Sequence, residues 1–413
     1  MAILFIFFLL GGQYYLFDDR AYRAKEIDFS STEFSGEVVR YEYKLRSQEF
    51  DVVLDSGAKV RVYSGVAPKV FYKDRVSLFG EALPLSSNSV RYFEKEGVSA
   101  TMAFPEVSIL GSSDSFLGGL YKFSDLVSAR FDRFIGGQAG AFMAGITLGT
   151  DSRFSSDLKR KLSLTGTTHI VALSGYNISI IALSISLLAS RFLRLRGAFI
   201  ASVVAICLFV LMTGASASVV RAGIMGMLVL LANQLGRVYS LRNAIAFSAF
   251  LMVLVNPKVL VFDLGFQLSF LALIGIVYFS PVIKGVLGFA SDKISIVKES
   301  LAMTLAAQLA VMPLILFQFG FVPVFSIFAN VLILTFIPLT MLLGLFIFLF
   351  SFLSAYLAEF FGLLSRIIIG YIFFVIDFFS RFSVQLELGF FSIVFMIASF
   401  TGLFMVLYKQ RSI

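Results

Sequence analysis

The single histidine of the chain, His169, lies in TGTTHIVALSGYNISII, an apolar run broken by small and polar residues. Three later apolar segments carry polar groups in the same way: SVVRAGIMGMLVLLANQLGR from Ser218, NPKVLVFDLGFQLSFLALIGI from Asn256, and LAAQLAVMPLILFQFGFVPVFSIFANVLILTFIPL from Leu305. A charged side chain at the centre of a membrane helix costs roughly 2.5 to 3.5 kcal/mol on insertion scales, so such groups mark function or pair with one another. Asp263 and Gln267 are four residues apart and share one helical face, which must meet protein or water.

Two readings of these residues stand side by side. In one, Asn177, Arg221, Gln267, Gln308 and Asn330 line a hydrophilic path, with Arg221 attracting anionic oxygens. In the other, an Arg221–Asp263 ion pair and interhelical amide bonds hold a bundle together. His169 either titrates or bonds an anion at the mouth of that path, or gives a helix-to-helix hydrogen bond. Ser174 and Gly175 suit a helix break better than a nucleophile, because no second histidine exists to activate the serine. Ser174 joins His169 and Asp263 among the candidate residues of the path. One histidine and one cysteine, Cys207, leave no cluster for zinc or a metal pair, so neither metal nor cofactor is expected and no residue pattern implies catalysis.

The elements that must position these groups can be read from composition. Of 413 residues 58% are hydrophobic and 15% charged, which makes a polytopic membrane protein rather than a large soluble core. The net charge of +8 is unevenly spread: residues 26–110 hold 10 Lys and Arg against 13 Asp and Glu, and residues 111–413 hold 21 against 11. The basic excess therefore belongs to the membrane part, where it follows the positive-inside rule or lines a vestibule for anions.

Residues 1–25 contain the apolar stretch 3–17 and read as an uncleaved anchor. Over 26–110 the period changes to two. Val39, Tyr41, Tyr43 and Leu45 alternate with Arg40, Glu42 and Lys44; Phe50, Val52 and Leu54 precede an Asp55-Ser56-Gly57 turn; Ala58, Val60 and Val62 follow. With 76–83 and 98–110, the latter bent at Pro105, five short strands suit a small Greek-key barrel of the OB type. Tyr41, Tyr43, Lys44, Arg46, Lys59 and Arg61 could stack bases beside a basic groove, and the tyrosines also alternate as ordinary core residues would. Residues 111–163 read as an amphipathic connector. Residues 164–413 form the membrane domain, with spans expected near 168–190, 198–214, 218–236, 243–256, 259–281, 301–318, a Pro-interrupted block 321–350, 352–380 and 389–408. Arg191, Arg194, Arg196, Arg237 and Arg242 fall on one side if the helices between them cross out and back; taking that side as cytoplasm puts the barrel outside.

Over roughly residues 140 to 340 these segments resemble the ComEC family of DNA-uptake channel proteins. The resemblance rests on Gly166, His169, Ala172, Ser174, Gly175, Arg221, Asn256, Pro257, Phe262, Asp263, Gly265, Gln267, Gln308, Pro313, Phe319, Gly320 and Asn330, most specifically on the run from Asp263 to Leu271. The family often has a second histidine after the Ser-Gly pair, where this chain has Tyr176 and Asn177. Its larger members carry a C-terminal metallo-beta-lactamase-like domain, which is expected to be lacking here. The resemblance implies an α+β membrane protein, with a helical transmembrane bundle and a small extracytoplasmic OB-like barrel. It further implies passage of single-stranded DNA across a bacterial cytoplasmic membrane during natural transformation, beside separate DNA-receptor, nuclease and motor proteins. A transporter of a small anionic solute and a non-conducting membrane assembly factor are the alternative readings. Neither oligomeric state nor strand polarity is legible in the sequence.

Overall fold

The computed structural model describes residues 27–385 except 28, 45–46, 86–92, 94–95, 172–174, 287–295, 324 and 383. The expected anchor, the expected span at 389–408, Arg46 and Ser174 lie outside the described residues.

The N-terminal part is a seven-stranded sheet: β1 (Glu33–Tyr43), β2 (Gln48–Leu54), β3 (Lys59–Ser64), β4 (Asp74–Phe79), β5 (Ala82–Pro84), β6 (Ala100–Ala103) and β7 (Glu106–Ser112). Their order is β5-β6-β3-β2-β1-β4-β7, with β3 and β6 parallel. The end strands do not close by hydrogen bonds. Yet β6 and β7, far apart in that order, are joined by Phe104 and Pro105 alone, so the chain itself bends around the sheet where Phe104 takes a φ of 51°. The expected fifth strand is thus one bent strand shared between β3 and β4. The expected fourth strand divides likewise at Gly80 into β4 and β5.

Apolar alternation supplies the core, Phe34, Val38, Phe50, Val52, Val60, Val62, Val76, Leu78 and Met102. A bulge between Val38 and Arg40 changes the parity of β1, so Val38 rather than Val39 faces inward ahead of the bulge, while Tyr41 packs on the core after it.

Fourteen helices are described after the sheet. They are α1 (Phe116–Phe134), α2 (Gly137–Leu148), α3 (Ser156–Leu164), α4 (Thr168–Val171), α5 (Gly175–Phe192), α6 (Leu195–Met212), α7 (Ala217–Gln234), α8 (Leu241–Val255), α9 (Val259–Phe262), α10 (Leu264–Val286), α11 (Ile296–Phe319), α12 (Ser326–Leu334), α13 (Ile337–Phe350) and α14 (Ala355–Ser380). Among them α6, α7, α10, α14 and Leu301–Phe319 of α11 are long and apolar enough to cross a membrane, and α12 with α13, bent by 42°, is apolar enough only as a pair, as a broken span or a re-entrant loop is. The bend falls just before Pro338, which sits in the first turn of α13 where its missing N–H costs nothing. One expected span is broken near its start, 259–281 into α9 and α10 at Asp263, while the expected span 168–190 is described as α4 and α5 on either side of residues 172–174.

Long helices consecutive in the chain run in opposite directions where side-chain contacts record it. Gly223 faces Val210 while Cys207 faces Met227, so α6 and α7 are antiparallel. Gly275 packs on Ala306 and Ala310 while Lys284 pairs with Glu299, so α10 and α11 are too. Ser218 lies near Gly265 and Arg221 near Ser269, which makes α7 and α10 parallel. Arg191, Arg194, Arg196, Arg237, Arg242 and Lys284 consequently gather at one end of the bundle, with the Arg242 guanidinium over the Tyr278 ring at 5.5 Å. The helices α5, α7 and α10 begin at the opposite end.

A second core joins α1 and α2 to α12, α13 and α14 through Phe131, Phe134, Phe142, Ile146, Ile333, Ile337, Ile347, Ile369 and Ile372. Arg366, in the middle of α14, donates to the Phe134 carbonyl at 2.8 Å and so satisfies the otherwise open C-terminal turn of α1. The sheet meets α1 through tyrosines: Tyr41 donates its hydroxyl to Asp125 at 2.7 Å, and Tyr121 packs edge-on to Tyr41 and Tyr72.

Candidate functional site

The first cluster forms where α9 gives way to α10. The Asn256 side chain accepts from the Lys258 N–H at 3.0 Å and starts the short helix; Asp263, in extended conformation, stops it. Asp263 Oδ1 then accepts from the Phe266 N–H at 2.8 Å and caps α10. Gln267 Nε2 donates back to the Leu260 and Val261 carbonyls at 2.8 and 2.9 Å, filling acceptors that the end of α9 leaves open. The two residues that share a helical face in the sequence are therefore engaged with the backbone of the break itself.

Ser218 Oγ stands 3.3 Å from where a Cβ on Gly265 would be, so the first turn of α7 rests on this break. One turn deeper, Arg221 is 8% exposed. Its guanidinium reaches the Ser269 carbonyl only at a long 3.4 Å and lies 5.9 Å from the centre of the Phe270 ring, and its Nε has no partner among the described residues. No ion pair joins it to Asp263 or to any other carboxylate among the described residues. The pairing alternative raised by the sequence is thus absent, and a buried cation keeps a donor without an acceptor.

The second cluster surrounds α4. Thr165 and Thr167 are buried and share a hydrogen bond of 2.7 Å, and the chain passes Gly166 so closely that a Cβ there would stand 2.9 Å from both Pro323 and Ser326. His169 is exposed, with Nδ1 3.0 Å from the Gly166 carbonyl. Gln308 Nε2 donates to Ser326 Oγ at 2.5 Å. Asn330, one turn beyond Ser326 on α12, is 4% exposed and its Oδ1 has no partner among the described residues. Asn177 is 1% exposed and donates to the Ile146 carbonyl, in the last turn of α2, at 3.0 Å.

The sheet presents the opposite situation. Arg61 is fully buried: Nε and one terminal nitrogen grip both oxygens of Asp51 at 2.6 and 3.0 Å, Glu49 lies 3.3 Å away, Glu96 closes the group, and the Phe93 ring covers it at 5.2 Å. Burial opposes ionisation of Asp51, but the Arg61 fork with Lys59 and Arg40 outweighs it and holds the carboxyl below its ordinary range. Lys59 pairs with Asp51 at 3.3 Å and Lys44 with Glu49 at 2.6 Å. Tyr43 donates to the Val70 carbonyl at 2.9 Å, and burial together with Asp125 pushes the Tyr41 hydroxyl up.

Sequence reasoning missed Ser218, Ser326, Ser269 and Phe270 in the bundle and Asp51 and Glu96 in the sheet. Ser326 carried a usable signal, a polar residue four before Asn330 in an apolar run; Glu96, 35 positions from its partner Arg61, carried none. Among the described residues no group of three or more His, Cys, Asp or Glu could hold a metal ion.

Over 180 residues, 43% of the chain, the sequence is 28% identical to the ComE operon protein 3 of Bacillus subtilis (strain 168), and the match spans 22% of that relative's length. No solved structure matches. The Competence protein family matches residues 146–412, from the last turns of α2 across the whole region that holds both clusters, and this multi-pass membrane protein belongs to that family.

Proposed function

We propose that the bundle conducts single-stranded DNA across the bacterial cytoplasmic membrane during competence, with Arg221 as a phosphate contact near one mouth. The observation that carries this reading is the Arg221 guanidinium, buried in a membrane-length helix with its Nε unpartnered and its one acceptor 3.4 Å away among the described residues. Such a cation is costly to keep unless an anion visits it, and a nucleic-acid backbone is the anion that membership of a competence family suggests. The basic end with Arg191, Arg194, Arg196, Arg237 and Arg242 faces the cytoplasm by the positive-inside rule, so Arg221, near the other end, meets the strand from outside, where the OB-like domain also lies.

His169 and Asn177 stand at that mouth, Asp263 with Gln267 frames the break between α9 and α10, and Gln308 and Asn330 continue the path; Ser174, outside the described residues, is assigned to the path by its sequence alone. Strand contact is assigned to the bundle ahead of the β face, because Lys44, Lys59 and Arg61 are matched there by Glu49, Asp51 and Glu96. Capture, strand degradation and energy come from separate receptor, nuclease and motor proteins.

Labelled-DNA uptake, normalised to membrane protein, tests the reading. Arg221→Ala is expected to lose about tenfold or more at unchanged abundance, the worth of one charge-assisted hydrogen bond, and Arg221→Lys to recover part of it. Normal uptake in Arg221→Ala at normal abundance removes Arg221 from the path. Undiminished uptake in cells lacking the protein leaves the carrier of a small anionic solute as the better reading.

A further inference from the structure

The basic end of the bundle, away from Arg221, holds its cations in a different setting. The chain there reads RFLRLR over residues 191–196 and LGRVYSLR over residues 235–242, so each arginine has an apolar neighbour. Those neighbours are not packed inside: Phe192 is 79% exposed, Leu195 72% and Val238 97%. Nor are the arginines matched by acids. Lys284 at this end has Glu299, whereas Arg191, Arg194, Arg196, Arg237 and Arg242 have no carboxylate partner among the described residues.

Packing gathers three of the five. The register that sets Cys207 of α6 against Met227 of α7 carries Arg196, eleven residues before the first, level with residue 238, eleven after the second, and so with Arg237. On its other side α7 packs against α8, and Arg242 at the start of α8 lies over Tyr278 of α10. Three guanidinium groups therefore stand along the ends of α6, α7 and α8, with Leu195, Leu235 and Val238 open among them.

We propose that this end binds the headgroup of an anionic phospholipid, with Arg196, Arg237 and Arg242 on the phosphate and the open apolar side chains among the acyl chains. Both parts of the pattern point to that ligand. Guanidinium groups alone suit any phosphate, free or in a nucleic acid. Open Phe192, Leu195 and Val238 between them place the surface where water gives way to hydrocarbon, the level at which membrane helices end and arginine stems reach out towards phosphate. The positive-inside rule accounts for the side on which the arginines gather, but it does not account for the apolar side chains exposed between them. Basic groups between membrane helices collect anionic headgroups in this way, each cation near the surface contributing about fivefold in affinity. The proposal is independent of whether a strand passes through the bundle.

Thermal unfolding of the purified full chain, stripped of native lipid in a neutral detergent, tests it. Phosphatidylglycerol is expected to raise the melting temperature progressively with its concentration, and phosphatidylcholine, which has no net charge, to have little effect. In Arg196→Gln with Arg237→Gln and Arg242→Gln, half of the effect should need about a hundredfold more phosphatidylglycerol. Leu195→Ser with Val238→Ser keeps every cation and should still weaken the effect, a loss that recognition of phosphate alone would not show. Arg237→Gln by itself, in the loop between α7 and α8, covers the case in which the triple variant fails to accumulate, with a weakening of about fivefold expected. Equal stabilisation by phosphatidylcholine, or an Arg237→Gln that matches the unchanged chain, overturns the proposal. Equal stabilisation by inorganic phosphate, undiminished in Leu195→Ser with Val238→Ser, overturns the lipid in favour of a free phosphate.

Discussion

Arg61 and Arg221 are both buried arginines, and their surroundings could hardly differ more. Arg61 sits in a sheet among Asp51, Glu49 and Glu96 under the ring of Phe93. Arg221 sits in a membrane-length helix with one long hydrogen bond and, among the described residues, no carboxylate. Desolvating a guanidinium costs several kcal/mol in either place. In the sheet the cost is offset within the fold, and the arginine has become part of what fixes strand register. In the bundle it is left open, and the fold tolerates an arginine that it does not itself satisfy. A charge completed by its own chain holds structure, whereas a charge left incomplete awaits something from outside.

Removing one member of the completed group should have the largest effect. Asp51→Ala leaves Arg61 buried with half its acceptors gone, a loss of about 3 to 5 kcal/mol for a broken buried pair. Thermal unfolding of the detergent-solubilised protein, with membrane abundance as a second readout, is expected to fall sharply. The apolar double exchange Asp51→Leu with Arg61→Met should recover most of the loss. An unchanged melting temperature for Asp51→Ala would mean that water or a rearranged Glu96 takes over the guanidinium.

Next comes Gln267. Gln267→Leu strands the Leu260 and Val261 carbonyls at the break between α9 and α10, a cost of about 1 to 3 kcal/mol for a buried group left without its partner. Lower stability with an undiminished ratio of uptake to abundance is the expected pattern. A loss of uptake at full abundance would instead move Gln267 from the break into the path.

The contrast predicts the opposite sign for Arg221. Exchange for Met keeps the packing against Phe270 and removes an uncompensated charge, so Arg221→Met should be neutral or more stable by up to about 2 kcal/mol while uptake falls. Stability and uptake falling together would place Arg221 with Arg61 as a structural residue and erase the distinction.

The sequence made the sheet legible wherever alternation is the signal, as in β2 and β3, and it marked the bend at Pro105. It did not mark the bulge after Val38, because slipping the parity of β1 by one leaves a pattern of apolar and charged residues that reads equally well. In the bundle the spans followed from hydropathy, but α9 merged with the helix after it, since a break of one residue within an apolar run changes no average. The residues of both clusters were legible by type, as polar groups out of place in lipid. Their partners were not: the Ser269 carbonyl that meets Arg221 and the Phe134 carbonyl that meets Arg366 are backbone atoms, which every residue has.

The smallest effect concerns two carboxylates whose responses to pH have opposite signs. Asp51 is held low by Arg61, so its contribution is present above the ordinary carboxylate range and lost as pH falls through and below it. Asp125 is pushed up by burial, which outweighs the hydrogen bond from Tyr41 and the nearby Arg153 and Lys69. An acid whose folded pKa is raised contributes stability below its unfolded pKa and loses it as pH rises through the folded value. At neutral pH the ionised Asp125 is therefore a small liability at the junction of sheet and α1. Asp125→Asn keeps an acceptor for the Tyr41 hydroxyl and removes the charge, so it should raise the melting temperature slightly at pH 7. Near pH 4 the gain should shrink, because the wild-type carboxyl is then increasingly neutral as well. Asp51→Asn should do the reverse, losing stability at pH 7 and less at pH 3. Melting curves of both variants across that range decide the matter, and a gain for Asp125→Asn that grows as pH falls would mean that the Arg153 and Lys69 charges, and not burial, govern Asp125.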